Sequence, residues 1–195
     1  MLKTRIPVSF SKLANAYPDK ASYPSPARKL LDEIGGTVRK NVDDRDNTCA
    51  IRLSYAFNHG GAPLTQAGAG ITWLSASPRV QRGTENWVKP NVLHDLYVMR
   101  VGDFKKYLTA RYDQPTPIWD GYHRDTWKVP FMGATQGVIC FEWKGPPKVF
   151  GATGHMDLFH FVMNSDTPPQ LVPACVEDCY WWDGPMYASF WELQP

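Results

Sequence analysis

The chain has 195 residues, a formal net charge of +2 and 43% hydrophobic residues, enough for one ordinary domain, 1–195, that buries a core without obligatory metals or disulfides. Its 21 Lys and Arg are scattered among 19 Asp and Glu, which leaves no basic stripe and excludes a nucleic-acid footprint. No stretch approaches the ~20 apolar residues of a membrane span, and the start MLKTRIPVSF lacks the apolar run of a secretory signal, so synthesis in the cytoplasm without membrane insertion is expected.

In chain order, Phe10, Leu13 and Tyr17 of FSKLANAYP recur at three- and four-residue intervals and stop at Pro18, which predicts a short amphipathic helix. Ser25 and Pro26 read as the N-cap and first-turn proline of a second helix, with Leu30, Leu31 and Ile34 as its apolar stripe and Gly35-Gly36 as its end. The polar run 37–47 reads as a loop that delivers the chain to NTCAIRLSYAFNHGG, a buried helix capped by Asn47 or Thr48 and stopped by Gly60-Gly61. From 62 to 92, Gly, Ser, Thr and Pro predict a long surface excursion that carries Trp73 and Trp87. VGDFKKYLTARY places Phe104, Tyr107, Leu108 and Tyr112 on one face of a further helix, ending before the Pro115-Thr116-Pro117 turn. Beyond it, GVICFEW, HMDLFHFV, CYWW and ASFWEL are short β-rich runs between Gly, Pro and Asp turns. Helices first and strands afterwards, without βαβ alternation, predict an α+β fold with N-terminal helices packed on a C-terminal antiparallel sheet.

Chemistry enters at Cys49. A cap at Asn47 or Thr48 leaves this cysteine in the first helical turn, where free N–H groups and the positive helix end favour a thiolate. A cysteine near a helix start is more often a small core residue, so the reading needs a base. His155, after Gly154 and at the head of an apolar run, is the candidate: it would take the thiol proton and return one to a leaving amine. His59, His94, His123 and His160 compete, but His59 lies ten residues along the same helix, ~15 Å from Cys49 and too far for proton transfer. For the group that orients the imidazole, Glu177 and Asp178, just before CYWW, weigh more than Asp166 in the NSDTPP turn. Asp157 shares a strand face with His155 and points alongside it, which reads as a substrate contact or a partner for nearby backbone. The oxyanion is expected on N–H groups at the helix start, that of Cys49 included.

Cys175 and Cys179 are close enough to form a disulfide in an oxidising compartment. The rival use is zinc, with His155, Asp157 and His160, but the pair lacks CxxC spacing and a second pair is missing, so no metal and no cofactor is assigned. Cys140 alternates within GVICFEW as a core residue.

FSKLANAYP, NTCAIRLSYAFN, VGDFKKYLTARY, GVICFEW, GATGHMDLF and CVEDCYWW together resemble the fourth family of type VI secretion amidase effectors, which belong to the NlpC/P60 papain-like peptidases. NTCAIRLSYAFN and GHMDLF are the discriminating segments. The resemblance implies a papain-like fold and an antibacterial cysteine amidase that the type VI secretion machinery injects into a rival's periplasm. There it would hydrolyse the bond between γ-D-glutamate and meso-diaminopimelate in the peptidoglycan stem peptide. It further implies that Cys49 is the nucleophile, His155 the base and Glu177 or Asp178 the third residue. The Cys175–Cys179 disulfide would then form only on arrival, and a cognate immunity protein would block the cleft. Arg52, Arg79 and Lys89 are cations that could face the substrate's carboxylates.

Two other readings of the residues stay open. One is a non-catalytic peptidoglycan-binding protein with an aromatic-lined sheet, in which Cys49 is core. The other is a papain-like protease acting on a different amide, since fold does not fix substrate.

Overall fold

The computed structural model describes residues 5–24, 26–76, 95–121, 136–143, 154–163, 171–176 and 186–195. The chain opens with a strand that the sequence reading passed over, β1 (Ile6–Ser9), which buries Ile6 and Val8. It runs directly into α1 (Phe10–Ala16), where Phe10 and Leu13 are buried as their spacing predicts. In α2 (Arg28–Ile34) the expected stripe Leu30, Leu31 and Ile34 is buried, but Ala27 occupies the cap position, so the helix starts beyond Pro26. Ser25 lies outside the described residues.

α3 (Gly36–Asn41) occupies part of the expected loop. Its apolar signal is thin, because only Val38 and the following Val42 are buried hydrophobic positions there. Gly35 and Gly36 both adopt left-handed φ, 65° and 59°, between the two helices. A Cβ on Gly36 would also stand 2.4 Å from the carbonyl oxygen of Ser75, so turn geometry and close approach both require glycine there.

α4 (Cys49–Gly60) is buried along most of its length and ends at Gly61, which is left-handed with φ 101°. Within the expected surface excursion, β2 (Trp73–Ser75) pairs antiparallel with β3 (Leu96–Val98). Residues 77–94, with Arg79, Trp87, Lys89 and His94, lie outside the described residues. α5 (Val101–Tyr112) then buries Phe104, Tyr107, Leu108 and Tyr112 as predicted.

The main sheet contains β4 (Thr116–Gly121), β5 (Gln136–Trp143), β6 (Gly154–Met163), β7 (Leu171–Cys175) and β8 (Met186–Gln194). Its order is β1-β8-β5-β6-β7, with β4 also paired to β8. All of these pairs are antiparallel except β1 on β8, which is parallel. Thus the α+β arrangement is as expected, with an N-terminal strand added to the C-terminal sheet. The stretch read as a proline turn instead becomes β4. Among the described strands it pairs with β8 alone, and an edge position of this kind tolerates Pro117. The expected strand CYWW lies outside the described residues.

One face of the sheet takes the helices. Leu53, Ala56 and Phe57 of α4 and Phe104 and Leu108 of α5 share a core with Val138, Cys140, Met156, Leu158 and Trp191. A second cluster joins α2, α3 and the β2–β3 ribbon around Ile51. α4 therefore belongs to both cores, and its first turn lies against the beginning of β6.

Candidate active site

The sequence left two caps open for α4, and the structure separates their roles. Thr48 stands at the cap position without a side-chain cap bond, and its hydroxyl accepts from Arg52 Nε at 3.3 Å. Asn47 does the capping: its Oδ1 accepts from the Cys49 N–H at 3.1 Å, closing an Asx turn. Its Nδ2 donates to the carbonyl of Gly154 at 3.2 Å. Cys49 is the first helical residue, buried and free of any disulfide. One expectation changes here, because the Cys49 N–H is engaged by Asn47 rather than open to an oxyanion.

His155 is the second residue of β6, opposite Phe141 on β5. Its ring is 3% exposed and stacks on Phe141 with centroids 6.4 Å apart and planes within 9°. Nε2 lies 3.8 Å from Asp157 Oδ2, an ion-pair separation longer than a good hydrogen bond. Asp157 is fully buried, and its Oδ1 accepts from the N–H of Leu158 at 2.7 Å. Burial alone would push the imidazole down. Interactions with Asp157 and with Cys49 override it and leave the pKa pushed up to about 10. That direction favours the protonated ring at neutral pH, with Asp157 and Cys49 as the neighbours that hold it.

The structure thus brings Cys49 and His155 together from elements about a hundred residues apart. Asp157 joins them fully buried and accepts from the backbone N–H of Leu158, which matches the second of its two expected roles, a partner for nearby backbone. Glu177, Asp178 and Asp166 lie outside the described residues, as does Cys179, the expected partner of the disulfide-bonded Cys175. Arg52 is not a surface cation for substrate: it is 2% exposed and donates to the carbonyl oxygens of Pro18 and Tyr23.

The rival histidines have other neighbours. His59, near the far end of α4, packs on Tyr55 with centroids 4.1 Å apart. His160 stacks on Phe10 at 4.6 Å, its pKa lowered by burial. His94 and His123 are outside the described residues. Cys140 is a core thiol pushed up by burial. Among the described residues no cluster of three or more His, Cys, Asp or Glu could hold a metal ion, and no helix is long and apolar enough to cross a membrane. The residue whose part sequence reasoning missed is Asn47. Its capping oxygen was legible from position, whereas its amide nitrogen finds a partner 107 residues away.

No curated protein matches the sequence. The effector Tae4 from Salmonella typhimurium, solved in complex with the immunity protein Tai4 from Enterobacter cloacae, has a similar fold, with a TM-score of 0.64 at 22% identity over 96% of this chain and 99% of that one. The effector Tae4 from Enterobacter cloacae matches with a TM-score of 0.62 at 21% identity over 98% and 99% of the two chains. At these identities the likeness establishes the papain-like fold. The family profile described as type VI secretion system amidase effector protein 4 matches residues 45–183, a span that contains Cys49, His155 and most of the sheet. The chain belongs to that family, the antibacterial peptidoglycan amidase effectors of the type VI secretion system.

Proposed function

We propose that Cys49 and His155 are the nucleophile and the general acid–base of this amidase, and that the bond cut is that between γ-D-glutamate and meso-diaminopimelate. The observation that carries the reading is a thiol on the first turn of α4 beside a buried imidazole whose pKa is pushed up to about 10. Such a pair sets a nucleophilic sulfur beside a proton donor. The Cys49 sulfur attacks the γ-carbonyl carbon, and the tetrahedral intermediate collapses as the C–N bond breaks. The imidazolium gives its proton to the departing diaminopimelate amine. Water, deprotonated by the now neutral His155, then cleaves the thioester, which releases the γ-carboxylate of glutamate and returns the sulfur and the imidazolium to the state in which the attack began. Asp157 stabilises the imidazolium, and Glu177 or Asp178 remains the sequence-based choice for the residue that orients the ring.

Export by the type VI machinery makes a signal peptide unnecessary for a protein made in the cytoplasm. The Cys175–Cys179 disulfide is assigned to the oxidising periplasm of the target cell. The relatives solved with Tai4 support a cognate immunity protein as this chain's partner; its seat over the cleft is part of the present proposal.

The test is incubation of wild type and Cys49→Ala with purified muropeptides, followed by mass analysis. Cleavage by wild type only, with new ends at glutamate and diaminopimelate, is expected. Retained cleavage by Cys49→Ala would remove the proposed nucleophile, and cuts at another bond would remove the proposed specificity.

A further inference from the structure

The side chain of Asn47 spans the gap between the two elements that carry the chemistry. Oδ1 receives the N–H of Cys49 at 3.1 Å, and Nδ2 donates to the carbonyl oxygen of Gly154 at 3.2 Å. The second contact falls on the peptide group whose nitrogen belongs to His155. One planar amide therefore links the backbone nitrogen of the nucleophile to the peptide unit of the base. Only one orientation of that amide satisfies both contacts, because the alternative would set NH2 against N–H and oxygen against oxygen.

We propose that Asn47 is a positioning residue for catalysis, fixing the separation of Cys49 and His155 rather than only starting the helix. The inference rests on the assignment of Cys49 and His155 above. A plain cap needs a side-chain acceptor, and Ser, Thr or Asp would supply one as well as Asn. The donor end has no capping role: it points away from α4 to another chain segment. Side-chain placement within the half-buried strip between α4 and β6 thus depends on a group that only an amide of this length provides. Since a misplacement of ~1 Å in a catalytic pair can cost ~100-fold in rate, a rigid two-ended tie at this point acts on kcat.

Three variants separate tie from cap. Asn47→Ser keeps a capping oxygen but is too short to bridge. Asn47→Asp is isosteric and keeps the acceptor, but it faces the Gly154 carbonyl with an oxygen. Asn47→Gln keeps both functional ends on a longer stem and serves as the conservative control. Each is assayed with wild type for thermal midpoint, for kcat and KM on purified muropeptides, and for the pH dependence of iodoacetamide alkylation at Cys49.

Asn47→Ser and Asn47→Asp should fold with a midpoint near that of wild type and lose roughly 10- to 100-fold in kcat with KM within about twofold. The alkylation profile of Cys49 should depart from that of wild type as the sulfur loses its imidazole neighbour, and Asn47→Gln should recover part of both losses. A folded Asn47→Ser with wild-type kcat and a wild-type alkylation profile would overturn the proposal, as would a loss confined to the thermal midpoint. Alkylation reads the thiol without substrate. A wild type that cleaves no muropeptide would therefore refute the function reading and leave the tie still testable.

Discussion

Gly154 offers the sharpest mechanical test of the site because it joins His155, the proposed base, to the sheet. It pairs with Glu142 across β5 and β6, directly ahead of His155. A Cβ built there would lie 2.4 Å from the backbone oxygen of Phe141 and 3.2 Å from Val101 Cγ1. Ordinary contact begins near 3.4 Å, so Gly154→Ala requires the start of β6 to move by about 1 Å. Phe141 cannot retreat to spare it, since β5 is bonded on its other side to β8 through the Phe141–Ala188 pair. The displacement therefore passes to β6 and hence to the imidazole.

Overpacking of this kind costs ~1–3 kcal/mol, a fall of a few degrees in thermal midpoint for a chain this long. The catalytic loss should be larger in proportion, ~100-fold in kcat for ~1 Å of misalignment. Paired measurements of kcat, KM and thermal midpoint on Gly154→Ala check both numbers. A variant as fast and as stable as wild type would show that β6 can shift without carrying His155, and the reasoning would fail.

Titration of His155 gives a second prediction. Its folded pKa lies above the ordinary 6.5, at about 10, so its stabilising contribution is complete below about pH 6.5 and is lost as pH rises through about 10. Thermal midpoints should accordingly fall over that window, and kcat/KM should hold into the alkaline range until the imidazolium deprotonates. Asp157→Asn should bring that alkaline limb toward neutrality, and an unmoved limb in a folded variant would deny Asp157 its charge role. At Ser54, the hydroxyl donates to the Ala50 carbonyl at 2.7 Å and accepts from the Val98 N–H at 3.0 Å in full burial. Ser54→Ala strands that N–H and should cost about 1–3 kcal/mol in denaturant unfolding; a change below 0.5 kcal/mol would mean the N–H finds another acceptor.

Helices with a strong apolar stripe were legible in the sequence. α1, α4 and α5 follow from spacing alone, because Leu13, Leu53 and Phe104 recur with their neighbours at the helical period. α3 was not legible, since a six-residue helix with one buried side chain leaves no period to count. The strands GVICFEW and HMDLFHFV announced themselves by β-branched and aromatic density. β1 and β4 did not, because four residues at an edge, or a strand beginning Thr-Pro, carry too little of that signal. For the site, Cys49 and His155 were readable from local context, a capped helix start and a glycine before an apolar run. The partnership of Asp157 with His155 was read as lying alongside, because ideal strand geometry separates residues two apart. The 3.8 Å between Nε2 and Oδ2 shows how far side-chain torsions close that separation.

The polar residues of α4 explain why this helix can serve as a platform. Ser54 is tied to Val98, Asn58 to Leu96 and Leu64, Arg52 to Pro18 and Tyr23, and the preceding Asn47 to Gly154. Each bond runs from a side chain to the backbone of a different segment. Ser and Asn lower helix propensity, and an arginine that is 2% exposed is expensive to desolvate, so helix stability does not explain their presence. Apolar packing fixes volume and burial but tolerates small slides and rotations, whereas a hydrogen bond to a neighbouring backbone fails within a few tenths of an ångström. With Leu53, Ala56 and Phe57 supplying burial and these bonds supplying register, α4 is held against β3 and β6 in one position. A thiol on its first turn inherits that position, which is what proton transfer to a residue on another element demands.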